Sequence, residues 1–167
     1  LRKVFQKSEN IRFRMAEVLQ VKPSENKLVT DIGEFEFDAL VIATGADTNF
    51  FGNDALQRNA FPMKSTVEAL QLRHRLLHNF EDALHVGSGI ELQRLMNIVI
   101  VGAGPTGVEL SGAIADMKRF VLPKDYPELD CSQIDIHLVQ GAPKLLAGMS
   151  DEASAASLNC IAHMDVN

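Results

Sequence analysis

The sequence has no tryptophan, a single tyrosine and only two cysteines among its 167 residues. Cys131 and Cys160 form no Cys-x-x-Cys pair and have no spacing typical of a metal site, so we expect a reduced, cytoplasmic chain. No apolar run approaches the ~18–20 residues of a membrane-spanning helix. The first ten residues also lack the apolar core of a signal peptide.

Basic residues are fewer than acidic residues: 16 Lys and Arg stand against 22 Asp and Glu, which gives a net charge of −6. This balance opposes any nucleic-acid role that needs a basic surface. Hydrophobic residues make up 46% and charged residues 23%, the composition of a globular protein. The length suits one average domain or two very small ones.

The first part of the chain, residues 11–46, is rich in residues that favour strands. Apolar stretches separated by polar turns at 22–27 and 31–33 predict a small antiparallel β-meander. The uninterrupted apolar run at 40–43 predicts a strand buried on both faces. Residues 47–66 read as a loop.

A helix is predicted to follow, capped by Ser65 or Thr66. Its apolar face is expected to comprise Val67, Leu70, Leu77, Phe80 and Leu84. Residues 85–93 read as a flexible connection.

From Asn97 onward the pattern changes to strand, helix, strand, helix. The strands are predicted at 98–101 and 134–139, the first helix contains Leu110 and Ile114, and the last begins at Asp151. This order predicts the beginning of a parallel α/β domain.

The sharpest signal is the Gly-x-Gly-x-x-Gly motif of Gly102, Gly104 and Gly107, between a predicted strand and a predicted helix. Gly102 permits a tight turn, Gly104 lets the backbone approach a pyrophosphate, and Gly107 lets the helix pack closely on the strand. The phosphates would face the positive end of the helix dipole. The alternative is a strand-to-helix turn that binds nothing.

Gln140 ends the second strand, where an acidic residue usually contacts the adenosine ribose. It follows Gly102 by 38 positions, more than the usual ~20. Gln140 could bond a ribose without repelling the extra phosphate of NADPH, and Lys144 is near enough to meet that phosphate. Alternatively, Gln140 serves NADH, or Lys144 is merely solvated.

Three further polar residues have competing interpretations. Glu109 is expected inside the first turn of the helix after the glycines, where the dipole stabilises any carboxylate. A functional interpretation places it near a redox centre. His74 and His78 lie four residues apart, but without a third ligand in register we expect no metal site.

Two segments together resemble a known family. FDALVIATG (37–45) and IVIVGAGPTGVELSG (98–112) resemble flavoproteins with two dinucleotide-binding motifs, the pyridine nucleotide-disulfide oxidoreductase superfamily. ATGADTNFFGN (43–53), PMKS (62–65) and VLPKDYPELD (121–130) narrow this to type II NADH dehydrogenase, an FAD-containing NADH:quinone oxidoreductase. The resemblance covers essentially the whole chain and is firmest between residues 35 and 150.

The resemblance implies an incomplete α/β, Rossmann-like FAD/NAD(P)-binding fold with a small antiparallel β-meander. Residues 1–50 would be part of the FAD-binding domain, 51–96 a connecting loop and helix, and 97–167 the first half of the NAD(P)H-binding Rossmann domain. Thr44 and Gly45 would touch FAD through their backbone, Gln140 would face the NADH ribose, and Glu109 would lie where nicotinamide meets flavin. The residues implied for the NADH pyrophosphate are Gly102, Ala103, Gly104, Pro105, Thr106 and Gly107.

The resemblance also carries expectations about the longer protein. Such enzymes are more than twice this length, so we expect an internal fragment that is inactive by itself. The parent would use FAD and NADH, or also NADPH, would reduce quinone, and would sit peripherally on the cytoplasmic face of the inner membrane through parts absent here. The unpaired edge of an incomplete parallel sheet predicts a homodimer or strand exchange with a second copy.

Two alternatives remain open. One keeps the superfamily and changes the acceptor to ferredoxin, a nitrite-reductase partner or oxygen. The other is a non-catalytic NAD(P)H-binding module. The segment at 43–45 favours a flavin enzyme, and the missing cysteine pair excludes the disulfide-reductase branch.

Overall fold

The computed structural model describes residues 3–5 and 7–167. Residues 1, 2 and 6 of the predicted 1–50 segment lie outside the described residues. The chain divides into two compact units, Leu1–Ala46 and Asp47–Asn167. The boundary falls close to the predicted end of the first segment.

The first unit is built on a three-stranded antiparallel sheet in the order β1-β2-β3. The strands are β1 (Val18–Lys22), β2 (Lys27–Thr30) and β3 (Gly33–Glu36). A short 3₁₀ turn at Pro23–Glu25 and a left-handed Asn26, with φ 53°, reverse the chain between β1 and β2. The predicted antiparallel meander is confirmed.

The strand predicted at residues 40–43 is wrong. This segment has no regular structure, and Val41 and Ile42 are 86% and 71% exposed. A strand buried on both faces needs hydrogen-bonding neighbours and covering layers. In the described part of this unit the sheet consists of the meander strands alone, so the apolar run has no partner for pairing.

The second unit is built on a parallel pair of strands, β4 (Asn97–Val101) and β5 (Asp135–Val139), in which Ile98 is opposite Ile136. Val166 makes a parallel bridge to Ile136 on β5. Asn167 extends that pairing, because its N–H donates to the Ile136 carbonyl at 2.9 Å and its carbonyl accepts from Leu138 N–H at 2.8 Å. The predicted parallel α/β arrangement is confirmed.

Six helices accompany this sheet in the described residues. They are α1 (Asp54–Asn59), α2 (Thr66–Ala83), α3 (Ile90–Met96), α4 (Pro105–Asp116), α5 (Leu122–Asp125) and α6 (Asp151–Ala162). A π-helical turn at Met117–Val121 joins α4 to α5, and a 3₁₀ turn at Cys131–Gln133 precedes β5. None of the described helices combines the length and apolar character needed to span a bilayer.

The segments predicted as loop and flexible connection each contain a helix, α1 and α3. Asn53 caps α1, where its side chain accepts from the Leu56 N–H at 3.0 Å. Helix α3 begins after Gly89, whose φ of 116° turns the chain. Both helices are short, so hydrophobic periodicity gives little warning of them.

The core of the second unit lies between one face of the parallel sheet and the helices. Its members include Ile98, Ile136, Ile114, Phe80 and Met96, all buried. Phe80 and Met96 come from the 51–96 segment and share this core with the 97–167 segment. The two predicted segments therefore form one packed unit.

Helix α2 enters that core only through its C-terminal half. Phe80 is fully buried, whereas Val67 and Leu70 are 64% and 45% exposed. The predicted apolar face of the whole helix is therefore wrong for its first turns. Apolar spacing shows that a face exists but not how far its partner extends along it.

Candidate dinucleotide-binding site

The strand-to-helix turn after β4 has the geometry that its glycines predict. Gly102 has φ 104°, a conformation that side chains rarely adopt. Its N–H donates to the Val139 carbonyl at the end of β5, at 2.8 Å. The turn is thus held at the carboxyl end of the parallel sheet, where open α/β folds bind their ligands.

Gly107 is the point of closest approach between α4 and this turn. A Cβ at Gly107 would lie 1.9 Å from the Gly102 carbonyl oxygen, closer than any real contact. Ser111, one turn later, is fully buried and its hydroxyl donates to the Val108 carbonyl at 2.8 Å. The predicted packing role of Gly107 is confirmed.

Gly104 differs from the other two glycines because the protein itself does not require it. Its φ of −74° is open to any residue, and an added Cβ would meet no heavy atom of the described residues within 4 Å. Gly104 is the N-cap of α4 and is exposed. The absent side chain therefore leaves open space in front of the helix.

That open space faces hydrogen-bond donors. Pro105 occupies the first position of α4, and Thr106 and Gly107 follow in the first turn. N–H groups in a first helical turn have no carbonyl one turn earlier to accept them, and the helix dipole adds partial positive charge. The turn can therefore hold an anion such as a pyrophosphate.

Ala103 joins the turn to the loop that follows β5. It is fully buried, its N–H donates to Gln140 Oε1 at 2.7 Å, and its carbonyl accepts from Leu146 N–H at 2.8 Å. The amide nitrogen of Gln140 donates to the Lys144 carbonyl at 2.9 Å. Both ends of the Gln140 amide are therefore bonded to backbone, and its predicted ribose contact stays a prediction.

Lys144 is not merely solvated in this structure. Its ammonium contacts Asp151 Oδ1 at 2.5 Å and the Met149 carbonyl at 3.5 Å. Beyond the end of β5, a concave surface encloses a volume of about 400 Å³, and its lining includes Lys144, Asp151, Gln140 and Ser154. The sequence predicts Asp151 at the start of the last helix, as the structure has it, but gives no sign of its contact with Lys144.

Glu109 is not inside the first turn, and that prediction is wrong. Helix α4 begins at Pro105, within the glycine motif itself, so Glu109 is its fifth residue. Its side chain is exposed. The dipole effect is confined to the first turn, so it gives no reason for a carboxylate at this position.

Thr44 and Gly45 belong to the first compact unit, and the glycine turn belongs to the second. Both are exposed, and Gly45 has φ 80°. That left-handed conformation favours glycine. The flavin contact that the resemblance implies for these two residues stays a prediction.

The histidine and cysteine side chains form no further centre in the described part of the chain. No group of three His, Cys, Asp or Glu residues there is placed to hold a metal. His78 instead contacts Asp82 at 3.1 Å. Burial raises the pKa of the Cys131 thiol, which keeps it protonated and unreactive.

Comparison with known families agrees with this geometry. The family model described as pyridine nucleotide-disulphide oxidoreductase matches residues 2–167. The chain belongs to this family. The Rossmann-like fold is confirmed by a solved structure, that of NDH2 from Plasmodium falciparum in complex with NADH. That structure superposes with a TM-score of 0.78 at 22% identity, over 99% of this chain and 35% of that one.

Two relatives from Mycobacterium tuberculosis are type II NADH:quinone oxidoreductases. NdhA is 31% identical over 99% of this chain and 36% of its own length. Ndh is 32% identical over 89% of this chain and 33% of its own length. The resemblance to type II NADH dehydrogenases is thus confirmed, and the chain spans about a third of the length of these relatives.

Proposed function

We propose that this chain supplies the nicotinamide-nucleotide site of a flavin-dependent NADH:quinone oxidoreductase. The observation that carries the proposal is Gly104, whose missing side chain leaves space that no described part of the protein fills. That space lies in front of the first turn of α4, where backbone donors are unpaired. Both features suit the pyrophosphate of NADH.

The chain's own residues would bind and orient the dinucleotide. Gly104, Thr106 and Gly107 would present backbone N–H groups to the pyrophosphate. Glu109, exposed on α4 beyond the turn, would contact the nicotinamide end. Thr44 and Gly45 would offer backbone groups to FAD. When bound, FAD accepts a hydride from the nicotinamide and passes electrons to quinone, so the protein's task is positioning.

Gly104→Ala tests the proposal directly. Because an added methyl group meets no heavy atom of the described residues within 4 Å, the variant should fold as the wild type does and yet lose NADH binding at least tenfold. The measurement is a fluorescence titration of the 167-residue chain with NADH, with thermal unfolding recorded beside it.

Gly87→Ala is the matched control. It adds the same methyl group at a glycine that also has open space but lies outside the turn, so NADH affinity should stay within twofold of the wild type. The proposal is overturned if the wild-type chain does not bind NADH, or if Gly104→Ala binds it as tightly as the wild type.

The wider activity of the longer protein is part of the proposal. The relatives' names support quinone as the acceptor, and we propose peripheral association with the cytoplasmic face of the membrane through segments outside this chain. The 167-residue chain should be colourless and should show no NADH:quinone activity. Flavin absorbance in the purified chain would contradict this expectation.

We also propose that the isolated chain dimerises through β4. In the described residues β4 pairs with β5 alone, and Val99 and Val101 on one of its faces are 59% and 64% exposed. Unpaired apolar edges favour pairing with a second copy. Sedimentation should show a dimer that Val99→Lys shifts to monomer, and a concentration-independent monomer in the wild type would refute it.

A further inference from the structure

The position of the ribose follows from the glycine turn, and this step rests on the proposed function. In Rossmann folds the adenosine ribose lies against the residue that ends the second strand. Here that residue is Gln140, which follows Val139 at the end of β5. NADH and NADPH differ only at the ribose 2′ position, so the groups near this point decide between them.

Both polar atoms of the Gln140 side chain are already hydrogen-bonded to the backbone. Its carbonyl oxygen accepts from Ala103 N–H at 2.7 Å and its amide nitrogen donates to the Lys144 carbonyl at 2.9 Å. Turning the amide toward a ribose would leave the buried N–H of Ala103 without an acceptor, which is costly. Gln140 therefore acts as a positioning residue that fixes the glycine turn.

The charged groups on the same concave surface are Lys144 and Asp151, in contact at 2.5 Å. The Lys144 side chain is 37% exposed and that of Asp151 is 93% exposed, so a ligand can reach both. An ammonium attracts a phosphate dianion, whereas a carboxylate repels it and accepts a hydrogen bond from a ribose hydroxyl. The Lys144–Asp151 pair therefore offers one group that favours a phosphate and one that favours a hydroxyl.

We infer that the Lys144–Asp151 ion pair, and not Gln140, sets the choice between a 2′-hydroxyl and a 2′-phosphate. With the pair closed, Asp151 neutralises Lys144 and offers its free oxygen to the 2′-hydroxyl of NADH. NADPH binds only by drawing the Lys144 ammonium away from Asp151 onto its 2′-phosphate. The pair therefore favours NADH while leaving NADPH as a weaker ligand.

Titrations of the full 167-residue chain with NADH and with NADPH test this inference. Asp151→Asn removes the competitor for Lys144, and exposed ion pairs are worth up to about a fivefold change in affinity. NADPH should therefore bind about fivefold more tightly, whereas NADH should bind about twofold more weakly, because an amide oxygen accepts from the 2′-hydroxyl less strongly than a carboxylate does. Lys144→Gln removes the phosphate partner and should weaken NADPH about tenfold with little change for NADH.

Glu152→Gln is the control for long-range charge. Glu152 is the next residue in the first turn of α6 and carries the same charge, but the contact with Lys144 is made by Asp151. Its removal should alter the NADPH-to-NADH affinity ratio less than twofold.

The outcomes separate the inference from the proposed function. If the wild-type chain binds NADH and Asp151→Asn leaves the affinity ratio unchanged, the inference alone is overturned. It is also overturned if Glu152→Gln changes the ratio as much as Asp151→Asn. If the chain binds neither nucleotide, the proposed function fails and the inference fails with it.

Discussion

Three glycines within six residues serve three different physical needs. Gly102 is required by its φ of 104°, and Gly107 by a backbone oxygen 1.9 Å from where its Cβ would lie. Gly104 is required by neither, because its φ is ordinary and its surroundings are open. Two of the glycines thus maintain the fold, and the third is the one that the proposed dinucleotide site would require.

Gly107→Ala should be strongly destabilising. The clash is with backbone, which cannot rotate away as a side chain can, so the cost should reach about 3 kcal/mol. Gly104→Ala is the comparison: alanine restricts the unfolded chain but is a poorer N-cap than glycine, so the stability of this variant should stay within about 1 kcal/mol of the wild type. Urea unfolding of both variants measures the difference. Equal midpoints for the two would show that α4 does not pack on the turn as described.

Gln140→Ala should loosen the glycine turn. The buried N–H of Ala103 would lose its acceptor, at a cost of about 1–3 kcal/mol. Hydrogen exchange should detect faster exchange at the Ala103 amide and little change at Ile98 in the middle of the core. Gln140→Glu is the informative companion, because the carboxylate still accepts from Ala103 but cannot donate to the Lys144 carbonyl. Unchanged exchange at Ala103 in Gln140→Ala would contradict the positioning role.

Among the elements, α2 has the most complete N-terminal cap. The Ser65 hydroxyl accepts from the Glu68 N–H at 3.2 Å, and the Glu68 carboxylate accepts from the Lys64 and Ser65 N–H groups at 2.9 and 2.7 Å. The Lys64 N–H, followed by the Ser65 hydroxyl, lowers the pKa of Glu68 below its ordinary 4.5. The charged carboxylate is therefore the form that caps the helix.

This cap predicts a pH dependence of stability. Because the pKa of Glu68 is lower in the folded chain, its contribution is complete above pH 4.5 and is lost as the pH falls through the folded pKa. Glu68→Gln should therefore be less stable than the wild type at pH 6, and the gap should close in more acidic buffer. Melting temperatures across this range measure the gap. A gap that stays constant on acidification would show that Glu68 ionisation does not stabilise α2.

The sequence predicts elements well where the signal is local. Strands β4 and β5 and helix α4 follow from short apolar runs, helical spacing and a glycine turn. The apolar run at 40–43 has an equally clear local pattern, yet a strand also needs a partner, which the pattern does not identify. The contact between Ala103 and Gln140 joins residues 37 positions apart, so only the packed turn places them together.

At the scale of the whole molecule, the two compact units differ in how much they bury. The second unit encloses a core that includes fully buried Phe80, Ile134 and Ile136. In the first unit, Thr30 is the one buried residue among those described. Small sheets with few buried side chains are only marginally stable. The two units should therefore open at different free energies.

Native-state hydrogen exchange should reveal this difference. Amides of β4 and β5 should be the most protected in the chain, whereas those of β1, β2 and β3 should exchange faster by at least tenfold. The measurement is made on the intact 167-residue chain without denaturant, residue by residue. Equal protection in the two sheets would show that the chain unfolds as one cooperative body.

The bridge between Val166 and β5 sets the order of the parallel strands in the second unit. Because β4, β5 and Val166 follow one another across the sheet in chain order, right-handed crossovers place the connecting helices on the same face of the sheet. Helices α4 and α6 accordingly share the core with Ile98 and Ile136. A parallel strand of the same chain that paired with the free edge of β4 would reverse this strand order. A right-handed connection to such a strand would pass over the opposite face of the sheet. The exposed side chains of Val99, Val101 and Val139 lie on the face of the sheet against which the helix of that crossover would pack. The glycine turn would then lie at the point where the strand order reverses.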